Sequence, residues 1–241
     1  MPSPDALCAQ IRAALEHEPQ INLHRYPIHL HCEDGIVTVD GDVEHIVAKK
    51  LALERAAAIP GVDGLMDRLR VVPTRPMGDG AIRDHVRDAL LQEPAFATFA
   101  ITIREKGQVD TVRPASGTPF GAIEVAIADG VVTLNGQVPS LSHQRLAGVL
   151  AWWVPGSRNV INGLAVEPPQ EDSDNEMTDA VQLVLEKDPF INASRVRVSS
   201  KDFIVTLEGL LPNESMKKMA ERDAWYILGV REVINKIQIE W

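Results

Sequence analysis

Ala128-Asp129-Gly130-Val131-Val132-Thr133-Leu134-Asn135-Gly136 decides the fold, because the chain writes this stretch three times. Its counterparts are Glu33-Asp34-Gly35-Ile36-Val37-Thr38-Val39-Asp40-Gly41 and Lys201-Asp202-Phe203-Ile204-Val205-Thr206-Leu207-Glu208-Gly209. Twenty residues beyond Gly41, Gly136 and Gly209 stand Gly61, Gly156 and Gly229 (61−41, 156−136, 229−209). A strand-like run follows each: Leu65 to Val71, Val160 to Val166, Val233 to Ile239. Upstream, each copy has an amphipathic segment closed by an acid and a proline, Glu18-Pro19, Glu93-Pro94 and Asp188-Pro189. Equal spacing at several independent landmarks marks an internal repeat.

Each unit reads helix, strand, strand, helix, strand. The first helix places Leu7, Ile11, Ala14 and Leu15 at helical spacing, matched by Ile82, Val86, Ala89, Leu90 and by Met177, Val181, Val184, Leu185. The proline after the acid stops it. The first strand alternates through Ile28, Leu30 and Cys32, then Ile123, Val125 and Ile127, then Val196 and Val198. Asp34-Gly35 and Asp129-Gly130 are hairpin turns, since Gly tolerates positive φ. Asp202-Phe203 stands at the third turn, which must therefore differ or be strained. Gly41, Gly136 and Gly209 mark a bend or close backbone contact. Gly61, Gly156 and Gly229 mark the end of the second helix. The fold class is α+β: three tandem αββαβ modules, each a small three-stranded mixed sheet with two helices on one face.

The expected boundaries are 1–73, 78–168 and 174–241, joined by Pro- and Gly-containing linkers short enough that the modules should touch. The middle copy carries an insertion near 98–121: Pro94 to Thr133 spans 39 residues (133−94), against 19 for Pro19 to Thr38 (38−19).

The pattern acid-Pro, Asp129-Gly130-Val131-Val132-Thr133-Leu134-x-Gly136-x-Val138, helix, Val154-Pro155-Gly156, then Asn159-Val160-Ile161-Asn162-Gly163-Leu164 resembles the BON domain (bacterial OsmY and nodulation) family. The third copy keeps Leu228-Gly229-Val230 and Val233-Ile234-Asn235. The first departs after Gly61, reading Val62-Asp63-Gly64-Leu65-Met66-Asp67. The resemblance implies a non-catalytic module of stress or envelope proteins, with phospholipid or small-ligand binding proposed for the family and export signals on most members.

The formal charge of −10 argues against nucleic acid as a partner. No apolar run approaches the ~18 residues of a membrane span. The opening Met1-Pro2-Ser3-Pro4-Asp5 shows no basic and then apolar leader, so the chain reads as cytoplasmic, or periplasmic if the start hides a signal peptide. Cys8 and Cys32 give neither a disulfide framework nor a zinc spacing. Cys8 aligns with Arg83 and Thr178, a surface-leaning position, so both thiols are expected free.

No residues are assigned to catalysis, to a metal or to a cofactor. There is no Gly-x-Ser-x-Gly or phosphate loop, and no cluster supplies nucleophile, base and orienter together. His29 and His31 share a strand face, but two convergent ligands do not close a zinc shell. Asp34, Asp129 and Asp202 read first as turn formers and second as ligands for a hard cation. The sharpest candidates are aromatic: Trp152-Trp153 and Trp225-Tyr226 end the second helix of their copies, where the first has Ala57-Ala58. At about 100° per residue Trp152 falls away from the stripe Leu146, Ala147, Leu150, Ala151, Val154, and Trp225 follows by alignment. Aromatics outside their own core belong to an interface with another module, a second copy, an unknown protein partner or a phospholipid surface. The chain therefore reads as a non-enzymatic triple binding or scaffold protein. The alternatives are a peripheral phospholipid-binding module and a small-ligand or cation sensor.

Overall fold

A computed structural model describes residues 3–118 and 120–240. Residues 1–2 and 241, at the ends of the first and third expected modules, and Pro119 of the insertion lie outside the described residues. Contacts divide the chain into two units, 1–72 and 73–241.

The first unit runs α1 (Pro4–Glu16), β1 (Ile28–Glu33), β2 (Ile36–Val43), α2 (Ile46–Ala57) and β3 (Gly64–Val71). The sheet order is β1-β2-β3, with β1 antiparallel and β3 parallel to the central β2. The alternation puts Val37, Val39 and Leu69 into the core beneath Leu7, Ile11 and Leu15 of α1. Ser3 and His45 cap the two helices through their side chains.

The expectation of two free thiols is overturned: Cys8 and Cys32 form a disulfide with their Cα atoms 6.1 Å apart. Alignment with Arg83 and Thr178 took no account of what lies beneath α1. The helix packs on β1, whose inward-facing Cys32 lies within reach of Cys8.

The second unit holds two modules. The first comprises α3 (Asp79–Gln92), β4 (Ala100–Glu105), β5 (Gln108–Arg113), β6 (Ala122–Ala128), β7 (Val131–Val138), α4 (Leu141–Trp153) and β8 (Asn159–Val166). The insertion is a hairpin, and the sheet has five strands in the order β5-β4-β6-β7-β8 rather than the expected three. Ile101 and Ile103 alternate inward as a strand requires, and Lys106-Gly107 turns with both φ positive, at 49° and 83°. The insertion brings Phe99 into the core beside Phe96. The other module comprises α5 (Asp174–Lys187), β9 (Val196–Lys201), β10 (Ile204–Leu211), α6 (Glu214–Tyr226) and a third strand broken into β11 (Glu232–Asn235) and β12 (Gln238–Ile239), both parallel to β10.

Three repeated devices explain the repeated letters. Gly41, Gly136 and Gly209 have φ of 140°, 122° and 144°, and a Cβ there would stand 2.6, 2.1 and 2.0 Å from the carbonyl oxygens of Pro27, Ala122 and Arg195. No other residue fits that approach of the first strand. The hairpins keep one conformation, φ 47° and 77° at Asp34-Gly35, 52° and 75° at Asp129-Gly130, and 53° and 62° at Asp202-Phe203. Phe203 is therefore strained, a bulky side chain in the left-handed region.

The third device is an inward polar residue on the last strand. Asn162 Nδ2 donates to Gln144 O at 2.7 Å, and Asn235 Nδ2 to Lys217 O at 3.0 Å, tying strand to helix. The first copy has Asp67 there, which cannot donate. Lys49, aligned with Gln144 and Lys217 and only 4% exposed, supplies the donors instead, to Asp67 at 2.5 Å and to Leu69 O at 2.8 Å. The departure seen after Gly61 is thus a compensated exchange. Burial pulls the Lys49 pKa down, against the pull of Asp67.

Candidate functional site

The helical faces of the second and third modules meet, and α4 is the element between them. It is buried on all sides from Arg145 to Ala151. A helix buried all round must have two partners. Leu146, Ala147, Leu150, Ala151 and Val154 enter the core of its own module. Beyond that core it packs against α5 and α6 of the third, and Leu183 of α5 reaches the same core.

This seam gathers most of the expected aromatics. Trp152 stacks on Tyr226 with ring centroids 5.6 Å apart and planes 21° apart. Trp153 packs against its own core and donates through Nε1 to Asp223 Oδ1 of α6 at 2.9 Å. Both tryptophans are half-buried. Trp225 differs: it is 1% exposed, with its indole N–H unpaired among the described residues. An interface position was expected for it, and its burial in the full chain is compatible with one. Helix phase sees only the stripe facing the module's own sheet, whereas α6 also packs against α5 and α4.

Sequence reading missed the polar half of the seam. Arg145, 2% exposed, donates through Nε to Leu228 O at 3.1 Å and through Nη2 to Asp172. Lys187 bonds Glu93 at 2.8 Å across the modules. Asp188 and Asp223, 7% and 3% exposed, face each other as a buried carboxyl pair. Burial first, and Asp188 second, push the Asp223 pKa up to about 8. One signal was legible: six residues before Gly61, Gly156 and Gly229 the copies read Arg55, Leu150 and Asp223. In the first copy Arg55 pairs with Glu18, the acid before proline, at 3.0 Å. In the third copy, that same position holds a second acid.

The hairpin acids occupy a different place. In the second module Asp79, at the start of α3, accepts the backbone N–H of Asp129 at 3.0 Å and of Gly130 at 2.8 Å. In the third, Asp174 accepts those of Asp202 and Phe203, each at 2.9 Å. A carboxylate from the first helix thus clasps the turn. These bonds hold the Asp174 pKa down. The first copy has Pro4 at the clasping position and Asp63 against Gly35. His29 and His31 lie on the open face of their sheet, exposed, with His31 3.8 Å from Glu33. Among the described residues no three His, Cys, Asp or Glu side chains gather as a metal site would need. No described helix is long and apolar enough to cross a membrane.

Opposite the helices each sheet leaves a face uncovered by its own helices. In all three copies the threonine of the repeat pairs there with an exposed apolar residue: Thr38 with Met66, Thr133 with Ile161, Thr206 with Ile234.

The BON domain profile matches residues 3–73, 111–168 and 173–240. Among characterised proteins, the chain is 28% identical over 160 residues to Osmotically-inducible protein Y of Escherichia coli (strain K12), covering 66% of this chain and 70% of that one. Among solved structures, the C-terminal domain of CdsD, the structural protein of the type III secretion system of Chlamydia trachomatis, aligns over 98% of each chain at 15% identity. The TM-score is 0.26.

Proposed function

Because this chain belongs to the BON domain family, we propose that it is a non-enzymatic, multivalent binding protein of the osmotic stress response, working in an oxidising, envelope-side compartment. The observation that carries the binding role is the repeated Met66, Ile161 and Ile234 at one register of the three open sheet faces. Core positions repeat because the fold needs them. An exposed apolar residue has no such reason, and three aligned ones favour a common contact. The similarity to an osmotically inducible protein supports the stress context. The Cys8–Cys32 disulfide supports an oxidising compartment, since cytosolic thiols are held reduced. This reading replaces a cytoplasmic placement.

The test is complementation. Met66→Asp, Ile161→Asp and Ile234→Asp are combined in the full chain, and growth under hyperosmotic challenge is scored in a strain lacking the gene. The triple variant should melt within a few degrees of wild type yet fail to restore growth. Full restoration by a folded triple variant would remove the sheet faces from the function.

A further inference from the structure

We propose that Asp188 and Asp223 share one proton, and that this proton is a latch holding the third module against the second. The geometry leaves little choice. Asp223 Oδ1 accepts from Trp153 Nε1 at 2.9 Å, and its Oδ2 is buried with no donor among the described residues. The neighbouring Asp188 carboxyl, which acts on Asp223 by hydrogen bonding and by charge, already accepts Phe190 N–H on Oδ1 at 2.8 Å. Two ionised carboxylates in contact and out of water would repel at low dielectric. A proton on Asp223 Oδ2 satisfies both groups, because it donates to Asp188 and leaves Oδ1 free for Trp153. The pair then carries a single charge and joins α4, α5 and α6.

Among the described residues, no neighbouring cation removes the need for that proton. From α5, Lys187 faces the seam but is bonded to Glu93, which ends α3. From α6, Arg222 acts on Asp223 only as the last and weakest influence, and Tyr226 lies beside it with its own pKa raised by burial. From α4, Trp153 is neutral, and Arg145 is bonded to Asp172 and Leu228 O. In the first module the corresponding pair is Glu18 and Arg55, an ion pair that needs no proton. The exchange of Arg for Asp puts the proton-dependent joint in the third copy, where Asp223 accepts from Trp153 of the second module.

The sign follows from linkage. Asp223 holds its proton in the folded chain up to about pH 8. In the unfolded chain a carboxyl loses it near pH ~4. Between these values the folded state binds one more proton, so stability falls as pH rises, by up to about tenfold in the folding constant per pH unit. Above the folded value the pair carries two charges and the seam should open.

The experiment compares the full chain with Asp223→Asn, whose amide can donate to Asp188 and accept from Trp153 at any pH. Urea unfolding from pH 5 to 7 should weaken wild type by several-fold to about tenfold per pH unit more than the variant. Amide exchange across the Lys187–Ile191 turn and along α6 should match at pH 6, and be faster in wild type at pH 9. Asp188→Asn serves as the second variant and should move the wild-type transition to lower pH. Parallel stability curves for wild type and Asp223→Asn, or equal exchange of the two at pH 9, would overturn the latch.

Discussion

Reducing the Cys8–Cys32 bond in the unaltered sequence should loosen the first module alone. The bond closes a loop of 24 residues' separation in the unfolded chain. The chain-entropy relation gives about 12 cal/mol/K for a loop of that length, or about 3.5 kcal/mol at 25 °C. At about 1.4 kcal/mol per decade this is a several-hundred-fold rise in the unfolded fraction. Both partners lie between α1 and β1, so reduction leaves the packing of Leu7, Ile11 and Leu15 in place and acts through the unfolded state. A single melting curve would blur this, because a multi-module chain is not two-state. Tryptophan emission would miss it, since Trp152, Trp153, Trp225 and Trp241 all lie outside the first module. The assay is amide exchange with and without a phosphine reductant, resolved by peptide. Protection should fall by two to three decades from α1 through β3, and stay unchanged in the cores of the second unit. Unchanged protection in the first module would refute the entropy argument. Two free thiols in the unreduced, unfolded protein would refute the pairing itself.

Trp225→Ala should cost about 3–5 kcal/mol in urea unfolding, as truncation of a buried tryptophan does, while Trp152→Ala, which loses mainly the stack on Tyr226, should cost about 1 kcal/mol; equal costs would place both rings alike. Asp67→Ala leaves the buried Lys49 ammonium without its carboxylate and should cost about 3 kcal/mol in thermal unfolding, whereas Asp67→Ala joined with Lys49→Met should recover most of it. Asp174→Asn should flatten the acid limb of stability. The Asp202 and Phe203 N–H groups favour the ionised carboxyl, so its contribution is present above the unfolded value near pH ~4 and is lost as pH falls through the lower folded value. An acid limb identical to wild type would mean the clasp does not stabilise the turn.

The features legible along the chain were local and periodic. The repeat placed every strand of the αββαβ plan, because period-two alternation and hairpin residues act over a few residues. The glycine at Gly41, Gly136 and Gly209 announced a close approach because no other side chain tolerates it. Even Phe203 was readable as a strained turn. The insertion was less legible: Ile101, Ile103 and Lys106-Gly107 carry a hairpin signal, but one strand pair cannot say which sheet edge it will join.

The remaining features depend on surfaces that meet from distant parts of the chain. Helix phase separated the core stripe of α4 from Trp152, yet it could not show that α6 is covered by α4 and α5, which leaves Trp225 1% exposed. It treated Cys8 as a surface position because the strand beneath it belongs to another segment. The partners of Asp223, namely Asp188 on the turn after α5 and Trp153 on α4 of another module, lie 35 and 70 residues away in sequence (223−188, 223−153). Burial and charge proximity are properties of the assembled volume. A pattern read along one segment carries the faces of that segment, and the packing of one module on the next decides which of those faces stay in water.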